Sequence, residues 1–312
     1  MENHNFENQG TFNREMNSRH LQMLSIGGVI GTGLFLSSGY TIAQAGPFGA
    51  VAAYLFGAIM VYLVMFSLGE LSVAMPVTGS FHTYATKFIS PGTGFMVAWM
   101  YWLCWVVALA SQFVGAALLP MSEAGVTETP FVLVLDKIGF PYAADIMNFI
   151  ILTAILSAST SGLYASSRML WSLANEGMIS KELVKINKHG VPMRGMILSM
   201  IGVVIALIAS IYAEDTIFLA LVSIAGFAVV IAWLAIPLAQ IGFRREFLKT
   251  HSEDELEYKT PFSPILPWIT VILLVISIIG IGWDPSQRAG LYFGVPFMIG
   301  CYIYHYIRFK KW

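Results

Sequence analysis

Eight stretches of this chain are apolar for long enough to cross a bilayer, and that property removes most folds from consideration. They lie near 21–45, 50–75, 93–119, 143–171, 194–213, 215–242, 264–283 and 290–308. Each is close to the ~20 residues that a helix needs to span the hydrocarbon layer. No water inside that layer can satisfy backbone N–H and C=O groups, so each span must satisfy them internally, as a helix. Charged residues make up only 11% of the chain, against roughly 25% in a soluble domain. The expectation is an all-α, multi-pass integral membrane protein of about eight transmembrane helices. The polar first twenty residues lead into an apolar segment too long for a cleavable signal.

Charge distribution orients the spans. With the N-terminus placed in the cytoplasm, fifteen of the 17 Lys and Arg residues fall on the inner side. They are Arg14, Arg19, Lys87, Arg168, Lys181, Lys185, Lys188, Arg194, Arg244, Arg245, Lys249, Lys259, Arg308, Lys310 and Lys311, leaving only Lys137 and Arg288 outside. Such a positive-inside bias puts both termini in the cytoplasm, within the cell membrane. An odd number of spans would scramble the alternation. Topology thus explains the short basic runs without nucleic acid. Cys104 and Cys301 lie in apolar spans and read as small hydrophobes. The six histidines show no metal-ligand spacing, so neither a metal nor a cofactor is expected.

The densest departure from good helix sequence is Ser25-Ile26-Gly27-Gly28-Val29-Ile30-Gly31-Thr32-Gly33. Each glycine weakens a helix interior by about 1 kcal/mol relative to alanine. Broken backbone survives at membrane depth only inside protein or against a ligand cavity, which makes such a span a pointer to a transport site. Close helix packing through small residues is the alternative. A break at Gly27–Gly33 leaves a half-helix with free N–H groups, favouring a carboxylate, and the Ser25 and Thr32 hydroxyls could add contacts.

Four other places could carry chemistry. Glu70 is the one acid well inside an apolar span, which raises proton coupling. It stands only about six residues, or ~9 Å, before the break at Pro76, which favours a structural bond to free amides or a basic side chain. Tyr101, Trp102 and Trp105 fall mid-span and could wall a cavity or simply pack. Ser157, Ser159, Thr160, Ser161 and Ser166 form a small polar face that could pack closely or offer oxygens to a cation or substrate. Residues 81–90 are amphipathic and fit the membrane surface. No nucleophile–base pair points to an enzyme.

Arg19-His20-Leu21-Gln22-Met23-Leu24 followed by Ser25–Gly33 and Leu34-Phe35 resembles the opening signature of bacterial amino acid permeases in the amino acid–polyamine–organocation superfamily. Gly69-Glu70-Leu71-Ser72-Val73-Ala74-Met75-Pro76 with Gly79-Ser80-Phe81 resembles the end of that family's second span, and Ser166-Ser167-Arg168-Met169-Leu170 the end of its eighth. The branch most similar in appearance is that of S-methylmethionine and lysine-type permeases. The resemblance implies a leucine-transporter (LeuT-like) fold and secondary active symport of an amino acid, driven by protons or another cation. It places substrate against the Ser25, Gly27, Gly28, Gly31, Thr32 and Gly33 segment, with Tyr101 and Trp102 as walls. Glu70, Ser157, Thr160 and Ser161 are then candidates for coupling or for the ion and substrate wall.

Against the family's twelve spans, eight are present. A polar tail (1–20) precedes a block resembling family spans one to three (21–119). An outside loop at a junction (120–142) then leads into a block resembling spans eight to twelve (143–312). The resemblance thus implies that spans four to seven are missing, roughly 150 residues from four spans plus loops. Lost with them are the second broken span that receives the substrate amine and the span where some members place a coupling lysine. Thr160 also stands where asparagine is expected. The expectation is a permease that inserts but transports poorly alone. The alternatives are a non-transporting membrane protein that pairs with a full-length permease, and self-association.

Overall fold

The structure is a computed structural model that describes residues 38–118, 142–188, 190–210 and 214–310, with isolated positions at 17–19, 22, 34, 134 and 137–139. The described residues form seven long α-helices and one short one, with three 3-10 turns (Lys181–Val184, Glu253–Glu255 and Pro285–Gln287) and without a strand: α1 Ser38–Ala74, α2 Phe81–Phe88, α3 Pro91–Leu118, α4 Ala143–Asn175, α5 Met193–Ser210, α6 Glu214–Phe247, α7 Ile265–Trp283 and α8 Arg288–Phe309. Five of these, in α1, α3, α4, α6 and α7, are long and apolar enough to cross a membrane, and α5 is a shorter apolar helix. At 1.5 Å per residue, the 22-residue α8 is also about 33 Å long. Most of the expected first span and of the loop at 120–142 lies outside the described residues.

Helix boundaries follow local chemistry. Within α1 the regular backbone breaks at Gly46, whose φ of 70° places it in the left-handed region, with Pro47 next. Proline at the first turn of a helix loses no bond that the helix would have made, so the break separates the expected first and second spans. The end of α1 comes just before Pro76, and Phe81–Phe88 is the expected amphipathic segment, now a helix with one buried face of His82, Tyr84 and Ala85.

Helix α3 is the hub, packing most extensively on α6 and α4 and also on α2, α5 and α8. Its buried residues Phe95, Val97, Ala98, Met100 and Cys104 join Phe227, Ala228 and Ala232 of α6 and Cys301 of α8 in the central cluster. Glycines set the closest approaches. A methyl on Gly94 of α3 would stand 2.7 Å from the His82 carbonyl oxygen, and one on Gly242 of α6 would stand 2.5 Å from that of Phe88. Small residues allow this contact of backbone on backbone, which drives helix association where the hydrophobic effect cannot.

Candidate functional site

The glycine-rich segment, with Ser25, Gly27, Gly28, Gly31, Thr32 and Gly33, lies outside the described residues. The candidate wall residues of α3 point in different directions. The Tyr101 ring meets Phe81 of α2 edge-on at 4.7 Å and Trp105 at 6.0 Å. The Trp102 indole N–H instead donates to Ser199 Oγ of α5 at 3.1 Å, committing it to a helix–helix bond. On α4, Thr160 is exposed and donates to the Leu156 carbonyl, while Ser161 is buried and donates to the Ser157 carbonyl at 3.1 Å. Hydroxyls turned back on their own helix satisfy themselves locally. Ser159 Oγ, by contrast, is buried with no hydrogen-bond partner.

Glu70 holds the densest polar network. Its carboxylate is fully buried and receives Arg244 Nε at 2.8 Å, Arg244 Nη2 at 3.0 Å, Gln240 Nε2 at 2.9 Å and the Thr260 backbone N–H at 2.6 Å. Arg244 Nη1 continues outward to Glu253 Oε1 at 2.7 Å. This is the structural reading of Glu70: a buried carboxylate bound by a guanidinium and a backbone amide at the end of its span. Sequence reasoning treated Arg244 only as a topology marker. The available signal was Gln240 and Arg244 one helical turn apart on α6, presenting two donors on one face.

A second polar group joins α2 to the end of α4. His82 is fully buried, with Nε2 2.9 Å from Ser172 Oγ and 3.7 Å from Glu176 Oε1, while Thr83 donates to Glu176 at 3.0 Å. Both titrating groups lie outside the spans. Burial pushes His82 down to about 4 and Glu176 up to about 6. At neutral pH the pair is therefore a neutral imidazole beside a carboxylate. Among the described residues, no group of three His, Cys, Asp or Glu is placed to hold a metal ion.

Long apolar helices gathered around a central helix, with polar networks at one end, make this a multi-pass membrane protein. Residues 20–120 and 113–312 match the amino acid permease family. The chain is 34% identical to the amino-acid permease RocE of Bacillus subtilis (strain 168), covering 99% of this chain and 98% of that protein. It is also 34% identical to the amino-acid permease RocC of the same organism, covering 100% and 97%. To the lysine-specific permease LysP of Escherichia coli (strain K12) it is 26% identical, covering 96% and 95%. The chain belongs to the amino acid permease family: it is a transporter-family protein for amino acids, not an enzyme. The alignment with RocE runs over 456 positions while this chain has 312 residues, so at least 144 positions (456 less 312) face no residue of this chain.

Proposed function

We propose that this chain is an internally shortened amino acid permease that inserts in the membrane and retains the carboxylate half of a substrate site. The observation that carries this reading is the alignment. It reaches nearly end to end on RocE yet leaves at least 144 positions (456 less 312) without a counterpart. The family match also falls in two blocks, 20–120 and 113–312, which meet where the sequence places the junction. A gap of that size corresponds to about four spans with their loops. An even number of lost spans keeps every downstream helix in its original direction, which agrees with the positive-inside pattern and with both termini in the cytoplasm.

In this reading the free N–H groups around Gly27, Gly28, Gly31 and Gly33, with Ser25 and Thr32, receive the amino acid carboxylate. Tyr101, Ser157, Thr160 and Ser161 stand on α3 and α4, the two helices that this reading makes the walls of the site, with Trp102 held to α5. The segment that would take the amine is absent, so accumulation by the chain alone fails, as does any coupling to protons. Purified chain in proteoliposomes, given radiolabelled lysine and histidine under an inward proton gradient, tests this. Counts no higher than in empty liposomes are expected, and concentrative uptake would overturn the reading. The missing length also favours a second reading, association with a full-length permease, which co-purification from a membrane holding both proteins would reveal.

A further inference from the structure

The loop between α6 and α7 is built as a separate unit and fastened at a few points. Inside it, the Ser252 N–H donates to Glu255 Oε1 at 2.8 Å and Lys259 Nζ to Asp254 Oδ1 at 2.8 Å. These bonds lie within the loop and involve no other part of the molecule. The attachments are different in kind. Thr260 gives its N–H to Glu70 and its hydroxyl to the Phe66 carbonyl at 3.1 Å. The Tyr258 ring lies on Gly69, where a methyl would stand 3.1 Å from the ring. Leu256 is buried among Leu71, Tyr84, Ala239 and Phe243. Glu253 completes the set through Arg244.

We propose that residues 248–264 are a strap that closes the neighbouring ends of α1 and α6, clasped by Thr260 on Glu70 and by Glu253 on Arg244. Beside the strap lies a half-open cavity of about 220 Å³, lined by Glu70, Val73, Ala74, Phe247, Leu256 and Tyr258 among others. Lifting the strap breaks these attachments and widens that cavity. When the strap lifts, Glu70 keeps Arg244 and Gln240 of α6 and loses only the Thr260 N–H, while Arg244 loses Glu253. A flap held by a small number of side-chain attachments, over a pair that stays bonded without it, makes a two-state device. A methyl at 69 would press on the Tyr258 ring, which would have to give by a few tenths of an ångström.

Two strap lysines make this testable without a transport assay. The bond after Lys249 lies in exposed chain, whereas the bond after Lys259 ends on Thr260, which is buried and bonded to Glu70. Trypsin can reach the second bond only when the strap is up, so its cleavage rate reads the open population. In detergent-purified protein, cleavage after Lys249 is expected to be fast and cleavage after Lys259 slow. Glu253→Gln, which removes only the outer bond of the clasp, raises cleavage at Lys259 about two- to fivefold and leaves Lys249 unchanged. Arg244→Gln removes the same strap bond from its other side and raises cleavage at Lys259 by a similar factor. If Arg244→Gln unfolds the protein, cleavage rises at all sites together, and Glu253→Gln alone decides. Equal rates at the two lysines in the unsubstituted protein, or no change at Lys259 with Glu253→Gln, overturn the proposal.

Discussion

Replacing Arg244 by glutamine tests the buried ion pair with Glu70. Arg244 supplies two of the four donors that reach the buried Glu70 carboxylate, at 2.8 and 3.0 Å. Hydrogen bonds to a charged group contribute about 1.5–3 kcal/mol each. Losing both therefore costs about 3–6 kcal/mol, which overlaps the 3–5 kcal/mol typical of removing one partner of a buried ion pair. The glutamine amide can return one bond, so a net loss of about 3 kcal/mol is expected. For a chain of this size, that lowers the midpoint of thermal unfolding in detergent by roughly 6–12 °C. Glu253→Gln breaks only the half-exposed outer bond and costs about 1 kcal/mol or less. The informative comparison is the double variant Glu70→Gln/Arg244→Gln, where no buried charge remains to be satisfied. It should unfold well above the temperature of Arg244→Gln, giving a coupling of about 2 kcal/mol or more in the double-mutant cycle. Additive losses from the two single substitutions would refute the reasoning, because they would mean that neither group depends on the other.

Other substitutions test separate parts of the account. Glu176 titrates near 6 in the folded protein against an ordinary value of 4.5. A raised folded value means stability that is present below 4.5 and lost as pH rises through 6. Glu176→Gln should therefore raise stability by about 2 kcal/mol at pH 7.5, with the gain vanishing below pH 4.5. A gain that persists unchanged at pH 4 would contradict the burial argument. His82 is shifted the other way, to about 4, so His82→Gln should reduce the loss of stability between pH 6.5 and 4, as thermal melts across that range would show. Gly94→Ala pushes a methyl to 2.7 Å from the His82 carbonyl and 2.8 Å from Thr86 Cα. It should cost about 1–3 kcal/mol and loosen α2, read by faster amide exchange over 81–88. Trp102→Phe removes the bond to Ser199 and should cost about 1 kcal/mol in a melt, with little change elsewhere.

Hydropathy and breaker residues reach the helices because lipid and backbone chemistry act locally. The break at Gly46-Pro47, the stop before Pro76 and the amphipathic Phe81–Phe88 can all be read from neighbouring residues. Pairings between helices are another matter. Trp102 reads more readily as a packing residue than as a cavity wall, and only the position of Ser199, 97 residues away in sequence, decides where its N–H goes. Glu70 is legible as an acid near a helix end. Its partners Arg244 and Thr260 are 174 and 190 residues distant, beyond any periodicity argument. The serines of α4 mark a polar face, but not whether it faces a ligand or its own carbonyls. The missing length is legible only against relatives, because a chain that has lost an even number of spans still looks well formed by charge and hydropathy.

The central claim, that an amino acid permease has lost the half of its site that completes transport, is tested most directly by restoring that half. The unmatched segment of RocE would be inserted at the junction near Leu119-Pro120. Both chains would then be reconstituted, and uptake of radiolabelled amino acid compared at equal amounts of inserted protein. The account predicts accumulation by the restored chain and none above empty liposomes by the shorter one. Equal accumulation by both would contradict it.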